Sequence, residues 1–247
     1  MARPRTNQAL TVYGANVVLE LLRSDEPIRQ LLCGVGPQRE AIVAAARRRG
    51  VPVREAGREE LARLAQGAPH QGVVAVLPGF PFRTLEDLIA PGEQSVLVLD
   101  GVQDPRNLGA ILRTARAAGA GGVVLPQDRC CGITPVVAAA SAGQLFGLPM
   151  ARVTNVARTL ETLKGAGFWT VGLVPGAPRS IFDLDRPGRV ALVVGGEGEG
   201  IRPLVRRGCD FEVAIPMSPG VESLNASVAT AIALYELLVR RGGPPIP

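Results

Sequence analysis

Two kinds of apolar spacing alternate along this chain. Up to about Val76 they come in short pieces: helical spacing over residues 14–23, a strand candidate at 28–33, and a second helix over 37–49 with Pro37 near its start. Strand, helix and strand follow at 51–54, 58–65 and 72–77, which predicts a compact α/β unit near the minimum size of a domain. From Ser95 onward the strand candidates change character. Ser95–Asp100 holds the continuous valine and leucine run 96–99, and similar runs recur at 122–125, 169–174, 190–194 and 212–215. A strand that is apolar at successive positions is covered on both faces, as parallel strands are. Helical patterns at 108–118, 135–142, 156–165 and 224–240 separate these runs, and that alternation predicts an α/β fold with a parallel sheet and crossover helices.

Between residues 78 and 94 the pattern gives way to Pro78, Gly79, Pro81, Pro91 and Gly92, with one helical turn candidate at 84–89. Such punctuation reads as a linker, so the expected organisation is a front domain over 1–77, a linker over 78–94 and a larger domain over 95–247. Composition adds little to this: 47% hydrophobic and 20% charged residues are those of an ordinary globular protein. Charge adds more. The net +5 is uneven, because residues 1–80 carry 11 Arg against 7 acids whereas the remainder carries 16 Lys+Arg against 15 acids. A basic front end suits an anionic partner, since cations gain affinity for phosphates by releasing counterions. Arg47-Arg48-Arg49 at the end of the second helix is either a solvated run favoured at a helix C-terminus or an RNA contact.

Several chemistries find no support. There is no apolar run of 18 residues, and the opening Met1-Ala2-Arg3-Pro4-Arg5 leads into no apolar segment of signal-peptide type, so a cytoplasmic protein without membrane association is expected. Cys33, Cys130, Cys131 and Cys209 have no metal-ligand spacing and His70 is the only histidine, so neither a disulfide framework nor a metal site is expected. His70 is read as structural or as an RNA contact, and the Cys130-Cys131 pair as packing.

In open α/β sheets ligands bind outside the carboxyl ends of the strands, and three segments there stand out. The first runs from Asp100 to Ala115 and holds Asn107, a residue type suited to capping a helix, with Arg113 about a turn and a half further on. The second, Gly195-Gly196-Glu197-Gly198-Glu199-Gly200, is a glycine-rich turn containing Glu197. It does not fit the dinucleotide fingerprint, because counting from Gly196 the final glycine position is Ile201. The third runs from Ile215-Pro216-Met217 to Ser223-Leu224-Asn225, where Ser and Asn have helix capping as their ordinary role.

Taken together and in this order, the three segments closely resemble the motifs of the SpoU/TrmH methyltransferases: N-x-G with a following Arg, G-x-E-x-x-G, and I-P-M with S-L-N. Thr134-Pro135 and Ser141-Ala142-Gly143 extend the likeness, and Tyr13-Gly14 and His70-Gln71-Gly72 resemble the L30e-like RNA-binding domain of the branch that modifies a guanosine of 23S rRNA. The resemblance implies a SPOUT α/β-knot, a deep trefoil, in the second domain, a homodimer, S-adenosyl-L-methionine as cofactor and RNA as substrate. It places the cofactor against Leu125, Gly195, Gly196, Ile215, Met217 and Leu224. It gives Asn107, Arg113, Glu197, Ser223 and Asn225 catalytic and substrate-orienting roles. Arg113 is the position the family treats as general base; a guanidinium normally stays protonated, so clamping a phosphate and stabilising the attacking oxygen is an equally physical role. The same chemistry on tRNA is the nearest alternative. A non-catalytic RNA-binding or assembly protein is another, against which the five intact residues argue.

Overall fold

The computed structural model describes residues 9–36, 38–90, 92, 95–185 and 188–240. Pro37, Pro91 and the opening residues 1–5, all invoked above, lie outside them. The first half of the chain runs β1 (Leu10–Tyr13), α1 (Ala15–Arg23), β2 (Gln30–Cys33), α2 (Arg39–Arg48), β3 (Val53–Glu55), α3 (Arg58–Leu64), β4 (Val73–Leu77), α4 (Leu85–Leu88), β5 (Ser95–Asp100), α5 (Pro105–Ala117) and β6 (Gly122–Pro126). The second half runs α6 (Pro135–Ala140), β7 (Met150–Val153), α7 (Val156–Gly165), β8 (Phe168–Leu173), β9 (Arg189–Gly195), α8 (Pro203–Arg207), β10 (Phe211–Val213) and α9 (Ala226–Leu234). No helix of the described residues is long and apolar enough to cross a membrane.

The chain forms two compact units, one of residues 1–81 with 133–147, the other of residues 82–132 with 148–247. In the first unit a four-stranded sheet has the order β1-β4-β2-β3, antiparallel except for the parallel pair β2 and β3. Leu32, Ala56, Leu61 and Val74 close part of its core. Arg49, the last residue of the basic run, is structural: its guanidinium donates to the carbonyls of Leu21 (2.9 Å), in the last turn of α1, and Glu26 (2.8 Å), in the loop that follows, while Arg47 and Arg48 stay exposed. His70 Nδ1 accepts from the Gly72 N–H at 3.1 Å and shapes the turn into β4. Residues 133–147 supply α6 and a 3-10 turn at Gln144–Gly147, which pack on β1 and α1.

The second unit is the expected α/β structure, a six-stranded sheet in the order β10-β8-β9-β5-β6-β7 with every neighbour parallel. β5 is buried at all six positions, which accounts for its unbroken apolar run. Val96, Val98 and Val193 face Leu160, Leu163 and Phe168 in one core layer. After β5 the chain moves outward through α5 to β6, whereas after β9 it leaves for the opposite edge through α8 to β10. The crevice between the carboxyl ends of β5 and β9, where Asp100 lies opposite Gly195, is therefore a topological switch point.

The helices that flank this crevice differ from the sequence expectation at their ends. α5 begins at Pro105, not 108, because Asp104 is its cap, its carboxylate accepting from the Arg106 N–H at 2.7 Å with Pro105 at the first helical position. Asn107 is thus not the cap, and its side chain is free for another partner. Leu108, Ile111, Leu112 and Ala115 bury one face of α5 and leave Arg113 exposed on another. The long C-terminal helix is interrupted: α9 starts at Ala226 with Asn225 as its cap and passes at Tyr235 into a π-helical turn, Tyr235–Arg240.

Candidate active site

The two glycine-bearing loops at the switch point are locked together by backbone geometry. The Gly196 N–H donates to the Asp100 carbonyl (3.1 Å) and the Gly200 N–H to the Gly196 carbonyl (3.2 Å), so the turn after β9 folds back on itself. A side chain at Gly195 would put its Cβ 1.9 Å from the Gly200 carbonyl carbon, and one at Gly196 would put it 2.1 Å from the Gly101 carbonyl oxygen. Both contacts are with backbone, so neither can be relieved by a rotamer change. Gly196→Ala is expected to cost about 1–3 kcal/mol by overpacking and to abolish cofactor binding, read by thermal melting and calorimetric titration. A variant that binds cofactor normally would show that the turn is not held as described.

Asp100 and Arg202, which the sequence reading did not single out as site residues, provide the second lock. The Asp100 side chain has no solvent exposure; it accepts from Arg202 Nε (2.8 Å), Nη2 (2.5 Å) and the Arg202 backbone N–H (2.9 Å). Its hydrogen bonds push the Arg202 guanidinium pKa further up from its ordinary value. An acid ending a fully apolar strand was the available clue, because a buried carboxylate demands a partner.

Asn107, Glu197 and Asn225 come together from three separate segments. The Asn225 Nδ2 donates to Asn107 Oδ1 (3.1 Å), and the Asn107 Nδ2 donates to Glu197 Oε1 (2.7 Å). Asn225 Oδ1 meanwhile accepts from the Ser227 N–H (2.9 Å) and hydroxyl (2.6 Å), so capping of α9 and alignment of the site use opposite ends of one amide. The carboxylate at the end of this chain of bonds can only accept, which fixes the orientation of both amides.

Beside these residues lies a cavity of about 410 Å³. Gly195, Gly196, Ile215, Met217 and Leu224 line it, as do Glu197, Ser223 and Asn225; Leu173 at the end of β8 and Val174 just after it, not anticipated from the sequence, extend its apolar wall. Leu125 does not line it and is buried on β6, and Arg113 does not line it either. Of the described lining residues, Glu197 alone is charged. Cys130 and Cys131 sit half-buried in the loop after β6, where the Cys131 N–H donates to the Val102 carbonyl at 3.1 Å. The Cys131 thiol is lowered by its hydrogen bond with Cys130, whose own thiol is correspondingly raised. Among the described residues no group of three or more His, Cys, Asp or Glu side chains could hold a metal ion.

Residues 94–235 match the SpoU rRNA Methylase family model, and residues 11–82 match the model for RNA 2'-O ribose methyltransferase substrate binding. The 23S rRNA (guanosine-2'-O-)-methyltransferase RlmB of Pseudomonas putida is 41% identical over 95% of this chain and 98% of its own length. The enzyme of the same name from Xanthomonas campestris pv. campestris is 41% identical over 94% and 97%. Among solved structures, an AdoMet-bound rRNA methyltransferase from Sinorhizobium meliloti superposes with a TM-score of 0.81 at 28% identity, covering 93% of this chain and 87% of the other. The SpoU methyltransferase AviRb from Streptomyces viridochromogenes, in complex with AdoMet, gives 0.80 at 26% identity, covering 94% and 90%. The switch-point crevice, its glycine turn and the full-length relatives lead to one conclusion: the chain belongs to the SpoU rRNA methylase family.

Proposed function

We propose that this protein transfers a methyl group from S-adenosyl-L-methionine to the ribose 2'-hydroxyl of a guanosine in 23S rRNA, acting in the cytoplasm as a homodimer. The observation that carries the reading is the Asn225–Asn107–Glu197 hydrogen-bond chain at the wall of an apolar cavity. The names of the two relatives supply the target.

The residues present suit this cofactor. The cavity is within the usual size range of small-molecule sites, its wall is aliphatic where an adenine needs apolar cover, and its one charged described residue is an acid where the donor carries positive charge. Leu173, Ile215, Met217 and Leu224 would hold the cofactor together with the backbone at Gly195 and Gly196, with Ser223 and Asn225 orienting its carboxylate and the substrate. When bound, the cofactor supplies an electrophilic methyl group. The chain's own task is then alignment: the attacking ribose oxygen must be held in line and its proton removed. Asn107 and Glu197 keep the first loop and the glycine turn in fixed register. Arg113, which makes no hydrogen bond or ion pair among the described residues, clamps the phosphate beside the target ribose and stabilises negative charge on the oxygen.

The front unit captures the RNA in this reading, supported by its net basic sequence. The homodimer is supported by Val228 of α9 and by Tyr235, seven residues on at the start of the π-helical turn, which are 48% and 47% exposed. Val228→Asp is expected to halve the mass measured by size exclusion with light scattering; an unaltered dimer would move the interface elsewhere. The trefoil knot belongs to the same proposal, supported by the return of the chain from edge strand β10 to place α9 against α5 and β9. Mapping 2'-O-methyl marks on rRNA from cells lacking the gene tests the whole reading. A single guanosine mark lost from 23S rRNA is the expected result, and an unchanged rRNA map would overturn it.

A further inference from the structure

A second cavity, of about 460 Å³, opens on the other side of the glycine turn. It shares Gly196, Glu197, Gly198 and Gly200 with the first cavity but differs in the side chains it presents: every described one that lines it is polar or charged, and its remaining lining residues are glycines. Two of those side chains, Asp100 and Arg202, are engaged with each other. Three others, Gln103, Arg129 and Glu199, line the cavity without a hydrogen bond or short ion pair among the described residues, although the charge of Glu199 acts on the nearby Arg202. Arg129 also holds a backbone φ of +62°, the left-handed region that non-glycine residues seldom adopt, and such strain collects at functional sites.

A two-substrate transfer needs two adjoining sites, and residues 196–200 lie between a cavity with aliphatic side chains and one lined by charged and polar side chains. The polar cavity combines a carboxylate, which only accepts, with a guanidinium, which only donates. Of the four RNA bases only guanine presents two adjacent N–H donors, N1–H and N2–H, with the acceptors O6 and N7 on the neighbouring edge. We propose that Glu199 is a specificity-determining residue for the target base, accepting from guanine N1–H and N2–H, while Arg129 donates to O6 and N7. This rests on the reading of the target as a guanosine. It assigns the choice of base to the glycine turn itself, one residue beyond Glu197 and Gly198, so the turn that lines the cofactor site also selects the nucleotide.

The test uses the full-length protein and synthetic RNA fragments spanning the nucleotide mapped above, carrying guanosine, inosine or 7-deazaguanosine at that position. Inosine lacks the 2-amino group, and 7-deazaguanosine lacks the N7 acceptor; both keep the 2'-hydroxyl. The wild type is expected to prefer guanosine over inosine in kcat/KM by about ten- to a hundredfold, the range for a hydrogen bond to a charged acceptor. In Glu199→Gln that preference collapses towards unity, with cofactor affinity by calorimetry unchanged because Glu199 does not line the apolar cavity. Arg129→Met, an independent variant should Glu199→Gln fail to fold, abolishes the preference for guanosine over 7-deazaguanosine. Variants that bind cofactor and keep the wild-type preferences overturn the assignment. A wild-type enzyme that methylates no guanosine fragment overturns instead the reading on which it rests.

Discussion

Arg113→Ala is expected to lower turnover by about 10²–10³-fold, the loss typical of removing one charge-stabilising donor from a reacting oxygen. Affinity for S-adenosyl-L-methionine should stay unchanged, because Arg113 does not line the cofactor-sized cavity. Thermal stability should stay unchanged too, since the side chain is exposed on α5 and makes no ion pair among the described residues. If the arginine acts on the transition state, kcat and kcat/KM fall together; a rise in KM alone would make it a ground-state RNA contact. Arg113→Lys separates the two chemical roles. Lysine retains the charge but not the planar fork, so measurable turnover in that variant means that charge near the oxygen suffices. Near-complete inactivity assigns the effect to the fork or to proton transfer. An alanine variant with full activity would remove Arg113 from the reaction altogether.

The second large effect concerns stability. Arg202→Ala leaves the fully buried Asp100 carboxylate with one backbone partner, and breaking a buried ion pair from one side is strongly destabilising. The Arg202 side chain is one-third exposed, so the lower end of the range applies, about 3 kcal/mol. For a chain of this length that corresponds to a fall in Tm of roughly 6–12 °C. Asp100→Asn in the Arg202→Ala background should recover part of the loss, because the charge that lacked a partner is gone. A single variant that melts with the wild type would show that the two loops are held by the glycine turn alone. Because the same pair brings β5 and β9 into register at their reactive ends, cofactor affinity is expected to fall along with Tm.

How far the sequence foretold this depends on the range over which each feature is encoded. The parallel sheet was legible because a strand buried on both faces has no alternation, and β5 reads that way with no help from elsewhere in the chain. Three elements escaped notice, β1, β7 and α8, and each is only four or five residues long, too short for a period to emerge. The helix cap was assigned to Asn107 on residue type, but Asp104 followed by Pro105 makes the better start, which frees Asn107 for Glu197. Motif resemblance found the residues of the hydrogen-bond chain, although they lie 90 and 118 positions apart. No local pattern could pair Asp100 with Arg202 across 102 positions, nor say what the apolar side of residues 135–142 would pack on.

The chain passes from one unit to the other three times, near residues 81, 132 and 147. Val17 and Glu20 of α1 leave no room for a side chain at Gly143, and Phe146 stands 6.4 Å from Phe80, so residues 133–147 are built into the front unit. Deleting everything before residue 82 would therefore strip Leu145 and Phe146 of their cover and leave the truncated protein sticky. Gene fusions that exchange the front half between relatives must transplant two pieces of coding sequence, and a protease nick in the 78–94 stretch would not let the halves drift apart.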